Sequence, residues 1–131
     1  MIPYGKDQMK IIIKADDITL TAQLNDTPTA RAIADGLPIE GNANVWGDEI
    51  YFEIPIALPL ADDAVEEVDI GTLAYWPTGN ALCIFFGPTP VSTGEKPRAY
   101  SPVNVFGKII EDATILKNIV GGTPVSVTGA C

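Results

Sequence analysis

The sequence predicts a mainly β domain, an antiparallel barrel or sandwich with two small helices over its open ends. Three observations lead there. Residues 69–90, DIGTLAYWPTGNALCIFFGPTP, hold two runs of aromatic and branched residues, 73–76 and 81–86, split by the turn formers Pro77, Thr78, Gly79 and Asn80. Turn signals recur elsewhere about every eight to twelve residues, the spacing of short strands. A length of 131 residues with 47 % apolar content suits one domain with a real core and is too short for two ordinary ones.

Taken in order, residues 10–15 (KIIIKA) and 18–24 (ITLTAQL) flank Asp16-Asp17 and form a first hairpin. In the second run Ile18, Leu20, Ala22 and Leu24 alternate with Thr19, Thr21 and Gln23, the period of a strand with one wet face. Asp26 or Thr27 then caps a helix that has Pro28 at its first position. Its apolar stripe is Ala30, Ile33, Ala34 and Leu37, and Gly36 and Pro38 end it.

Strand patterning resumes at Ile39. Asn44-Val45-Trp46, then Gly47-Asp48, then residues 49–54 (EIYFEI) read as a hairpin with a glycine-led type II′ turn, so that Trp46 and Glu49 face each other beside it. Pro55 and Pro59 break regularity. Residues 61–69 (ADDAVEEVD) carry five acids in nine positions and predict a solvated turn or one exposed helical turn. A divalent cation needs ligands converging in space, which the adjacent pairs Asp62-Asp63 and Glu66-Glu67 do not imply. In the central hairpin, Leu82 to Phe86 run apolar without alternation, which places that strand mid-sheet with both faces covered.

Residues 91–101 read as a polar loop holding Lys96 and Arg98. Residues 102–110 (PVNVFGKII) are a strand interrupted at Gly107, the mark of a bulge or a close backbone approach. Asp112 caps a second helix with Ile115, Leu116, Ile119 and Val120 inward and Gly121-Gly122 ending it; residues 123–128 (TPVSVT) make a last strand.

Composition excludes much chemistry. Eight basic against seventeen acidic residues give a net charge of −9, which repels phosphate backbones and anionic lipid. No nucleic-acid or membrane partner is expected, and a cationic or neutral one fits better. Histidine is absent, which removes Ser-His-Asp and Cys-His catalysis and His-based zinc sites. No cofactor or metal is expected. Cys83, inside an apolar strand, and Cys131 make no disulfide framework. The start MIPYGKDQMK has no apolar core of a signal peptide, and no run approaches the roughly 20 apolar residues of a membrane span. The expected setting is therefore a soluble, reducing cytoplasm. Residues 1–8 read as a loose extension ahead of a natural start at Met9, leaving 9–131 as the single domain.

Three stretches carry a family resemblance: WGDEIYFEIP at 46–55, DIGTLAYWPTGNALCIFFGPTP at 69–90 and SPVNVFGKI at 101–109. In this order they resemble the signature stretches of a small prokaryotic cyclophilin-like family, whose members are single domains of about this length with generally unassigned roles. The resemblance implies a closed barrel of cyclophilin type, with about eight mostly antiparallel strands, capped by two short helices. True cyclophilins are more distant. Their Gln-Phe-Phe run is answered here by Ile84-Phe85-Phe86, and the Phe-His-Arg strand that carries their catalytic arginine is answered by Ile50-Tyr51-Phe52, which has none. That arginine donates to the prolyl nitrogen as the bond twists, so its loss removes several kcal/mol of transition-state support.

The candidate site is a set of aromatic and polar groups converging at one barrel end. Trp46, Tyr51, Tyr75, Trp76, Phe85 and Phe86 form the apolar set, about half of which would only fill the core, with Glu49, Asn80, Ser101 and Asn104 as orienting groups. Arg98 is the one arginine placed near a groove mouth. Trp46, Tyr75 and Trp76 adjoin turns and keep a polar atom that needs a partner. Three functions follow: a non-catalytic module binding a small molecule or a peptide, a prolyl isomerase with an altered site, and an enzyme using Glu49 as a general base. The last requires that carboxylate to be partly buried with a raised pKa. Oligomeric state is not legible in the sequence.

Overall fold

The computed structural model describes residues 9–130; the expected extension at 1–8 and Cys131 lie outside them. Strands β1 (Lys10–Ala15) and β2 (Ile18–Leu24) pair across Asp16-Asp17, with Asp16 left-handed at φ 57°, a conformation that aspartate tolerates. Helix α1 (Pro28–Asp35) begins where its cap dictates: Thr27 Oγ1 accepts from Ala30 N at 3.1 Å, and Ala30 and Ile33 are buried. Then come β3 (Ile39–Asn42), β4 (Asn44–Val45), β5 (Glu49–Glu53), β6 (Val65–Glu67), β7 (Thr72–Trp76), β8 (Ala81–Phe85), β9 (Arg98–Ile109) and β10 (Pro124–Gly129).

Every ladder is antiparallel, and the sheet follows the path β3-β10-β1-β2-β9-β7-β8-β5-β4, with β6 paired onto β9 beside it. Among the described residues it has ten strands where about eight were expected, and the expected closed barrel is not seen as a hydrogen-bonded ring, because no ladder there joins the two ends of the path. The geometry explains this. The end strands β3 and β4 are successive parts of one segment, divided by Ala43 alone. Where β3 passes β5 the contact is between side chain and backbone: a Cβ on Gly41 would lie 2.5 Å from Phe52 Cδ2.

Side-chain alternation gives the sheet an apolar layer on each face. The larger layer holds Ile11, Ile13, Leu20, Ile50, Phe52, Leu73, Leu82, Ile84 and Phe106, with Ala30 and Ile33 of α1 packed into it. On the opposite face of β7 and β8, Ala74, Ala81, Cys83 and Phe85 pack with Val68, Ala99 and Val103. The unbroken apolar run of β8 therefore has both faces covered, as its lack of alternation predicts.

Three expectations change. The acidic stretch is not only a turn, since its middle forms β6, with Val65 opposite Val103 and Glu67 opposite Arg98. A short, charged, irregular strand is what an outer edge tolerates. The polar loop ends sooner than expected, because β9 already starts at Arg98. The second helix is a 3₁₀ segment, Ala113–Asn118, with Asp112 capping Thr114 N at 3.0 Å. Three residues per turn bury Ala113, Leu116 and Ile119, so Ile115 and Val120 face outward.

Gly107 combines both features its position suggested. Between Leu73–Gly107 and Ala74–Val105 the register shifts, and a Cβ on Gly107 would lie 2.9 Å from the backbone oxygen of Gln23. Gly107→Ala should therefore cost roughly 1–3 kcal/mol in chemical denaturation. Gly94→Ala, where nothing lies within 4 Å of the added carbon, should stay within about 0.5 kcal/mol of wild type.

Candidate functional site

The turn between β4 and β5 places the first two side chains of the site. Trp46 N donates to Glu49 O at 2.9 Å and Glu49 N returns the bond at 3.1 Å, closing a two-residue hairpin. Gly47 leads the turn at φ 59°, and a Cβ there would meet Thr89 Cα at 2.9 Å. Both the dihedral and the close approach require glycine. Asp48 N donates to Pro88 O at 3.0 Å and Phe86 N to Asp48 O at 2.9 Å, so backbone bonds wedge the turn in place.

Glu49 and Tyr51 lie on one face of β5, and Tyr51 is opposite Cys83 of β8. Trp76 ends β7 and donates its Nε1–H to Ser101 Oγ at 2.6 Å. From β9, Ala99, Tyr100 and Val103 complete a cleft of about 190 Å³ with Trp46, Glu49, Tyr51, Trp76 and Cys83. Its aromatic rings form a chain of edge-to-face contacts: Trp46–Tyr100 at 6.2 Å, Tyr100–Trp76 at 6.2 Å and Trp76–Tyr51 at 6.4 Å between centroids. Each such contact is worth roughly 0.5–1.5 kcal/mol beyond the area it buries.

Glu49 is 5 % exposed, and burial pushes its pKa up to about 7; a hydrogen bond with the Cys83 thiol offsets part of that. Burial raises the Cys83 thiol as well, with the Glu49 charge adding to it, so the thiol stays neutral and is no nucleophile. Near neutral pH the carboxylate can hold or release a proton, or neutralise a cation. Among the described residues no lysine or arginine lines the cleft. Among the described residues no three His, Cys, Asp or Glu side chains gather as metal ligands would, and no helix there is long and apolar enough to cross a membrane.

The structure divides the sequence candidates into two groups. Trp46, Glu49, Tyr51 and Trp76 line the cleft, and Ser101 braces Trp76. The cleft lies on the face of the sheet that holds the smaller apolar cluster, with Ala99, Tyr100 and Val103 of β9 on its wall. Tyr75 and Phe86 belong to the larger core on the other face. The Tyr75 hydroxyl donates to Ile56 O at 2.7 Å, accepts from Leu58 N at 3.1 Å and lies 3.0 Å from Asn80 Oδ1. Asn104, 1 % exposed, accepts from Ala61 N at 2.8 Å and donates to Pro59 O at 3.0 Å. These groups tie down the proline-broken segment after β5. Phe85 packs beneath the cleft in the smaller cluster, and Arg98 pairs with Glu66 at 2.6 Å, half exposed. Sequence patterning does not single out Tyr100, Ala99 or Val103, and it places Cys83 inside an apolar strand without assigning it to the cleft. The signal for Tyr100 was an aromatic ring isolated in a polar stretch.

A family model described as cyclophilin-like matches residues 8–128. A hypothetical protein from Archaeoglobus fulgidus, solved in solution, is 38 % identical, with a TM-score of 0.83 over 98 % of this chain and 100 % of that one. McbB in complex with tryptophan is 18 % identical, with a TM-score of 0.63 over 90 % of this chain and 44 % of that one, a likeness of fold. No curated protein matches the sequence.

The Glu49 environment has a stability consequence. Its carboxyl binds protons with a pKa of 4.5 ordinarily and about 7 when folded, so the folded state holds the extra proton between those values. The contribution is fully present below pH 4.5 and is lost as pH rises through 7, by roughly 3 kcal/mol in all. Urea denaturation of wild type and Glu49→Gln should therefore diverge by about 2–3 kcal/mol in favour of the variant between pH 4.5 and 8. A difference constant with pH would mean that Glu49 titrates as an ordinary surface carboxylate.

Proposed function

Because this chain belongs to the cyclophilin-like family, we propose that it is a non-catalytic binding module, taking a small molecule or a short peptide segment in the cleft between β5 and β9. One observation carries the reading: four aromatic rings arranged edge to face around the mouth of a pocket with a buried carboxylate on its wall. Such rings offer large contact area at little entropy cost, and one polar group then orients what they hold. A volume of about 190 Å³ suits one ring or one side chain. The barrel, in this reading, is closed by chain continuity through Ala43 between β3 and β4.

Prolyl isomerisation, the second reading, has the family fold in its favour and lacks a donor. Arg98 is engaged with Glu66, and Arg31 with Asp26 at 2.6 Å. An apolar groove without a charged donor binds proline but does not support the twisted amide. Fold likeness alone does not assign activity.

Titration of ¹⁵N-labelled protein with single-ring fragments and with an Ala-Pro-Phe peptide separates these readings. The expected result is movement of the Trp46 and Trp76 indole signals without faster prolyl exchange. Tyr100→Ala should raise the Kd about tenfold. Exchange accelerated by wild type and abolished by Tyr51→Ala would establish an isomerase instead. If no fragment or peptide moves the indole signals, the cleft is not a binding site of this kind.

A further inference from the structure

We propose that the group seated against Glu49 is a protonated amine, an ammonium or alkylated ammonium carried on a small apolar or aromatic body. The proposal rests on reading the cleft as a binding site and names its ligand class. Three features of the wall converge on it. Among the described residues Glu49 is the only carboxylate lining the cleft and no lysine or arginine faces it, so an anion would meet repulsion and find no counter-ion there. The carboxylate is 5 % exposed, and the polar group set against it is the Cys83 thiol, a weak donor that also reaches Ala81 O at 3.9 Å. A buried anion so poorly partnered carries a standing desolvation cost, which an N⁺–H donor relieves and a neutral ligand does not. Trp46, Trp76 and Tyr51 surround the same space, and ring faces attract a desolvated cation.

The other ionisable groups around Glu49 do not compete for this role. Cys83 faces it from β8, Tyr51 shares its strand and Tyr100 approaches from β9; none of them is cationic. Asp48, next in the turn, points to Lys117 at 3.7 Å, and Arg98 of β9 is held by Glu66. The overall charge of −9 draws cations toward the surface as well. Binding an ammonium must favour the ionised carboxylate, and by linkage the affinity must rise as Glu49 loses its proton.

Three probes of matched shape test this: 2-phenylethylammonium, 2-phenylethanol and 3-phenylpropionate, titrated at pH 8.5 and 5.5 while the Trp46 and Trp76 indole signals are followed. The amine stays protonated at both pH values. At pH 8.5 the ammonium should bind about tenfold or more tightly than the alcohol, and its affinity should drop by about tenfold on going to pH 5.5 while that of the alcohol holds. Glu49→Gln should erase the preference, bringing the ammonium and alcohol affinities to within about twofold of each other at both pH values. Equal affinity for ammonium and alcohol, or tightest binding of the propionate, would overturn the ammonium assignment while leaving a binding cleft. No binding by any probe would overturn both.

Discussion

The structure depends on covering β8 twice. Leu82 and Ile84 face the larger core, while Ala81, Cys83 and Phe85 face the other way, and an apolar strand so exposed on its second side would be an aggregation surface. The chain meets this by bending β9 so that Ala99 and Val103 lie over that face, with β6 paired along the outer edge. The Thr89 hydroxyl holds the loop into β9 by donating to Arg98 O at 2.5 Å, and the ion pair of Arg98 with Glu66 fastens β6 from outside. The cover is incomplete. Between it and β5 remains the aromatic cleft.

Glu49 is where that arrangement becomes chemical. Its backbone is committed to the Gly47 turn, and its side chain points to the face that β9 covers, so the carboxylate is enclosed by the same packing that protects β8. A carboxylate in that position would ordinarily be replaced by a hydrophobic residue or supplied with strong donors. Here it has a thiol and a ring of aromatic side chains, and it titrates close to neutrality. Energy stored in a poorly solvated charge is what a cationic ligand can recover on binding.

Much of the fold was legible because its signals are local. Thr27-Pro28 starts α1, Gly47-Asp48 turns the second hairpin, and the uninterrupted β8 run announces a strand buried on both faces. The 3₁₀ segment after Asp112 was not, because Ile115, Leu116, Ile119 and Val120 fit an α period while Ala113, Leu116 and Ile119 fit a three-residue one, and packing decided between them. The site was legible in part for a similar reason. Tyr75 and Trp76 are consecutive and must point to opposite faces, as must Phe85 and Phe86. On a strand apolar throughout, nothing in the local pattern says which face holds the cleft. Tyr100 escaped because Gly, Lys and Pro around it read as loop, whereas pairing with β6 turns the end of that stretch into strand.

The most direct test of this account is the titration of the Glu49 side-chain carboxyl itself, followed by its ¹³C chemical shift between pH 3 and 9. The account requires a midpoint at about 7, with the Trp46 and Trp76 indole signals moving through the same transition. A midpoint near 4.5, the ordinary value, would show a carboxylate open to water. It would remove the buried charge on which both the stability argument and the ligand assignment stand.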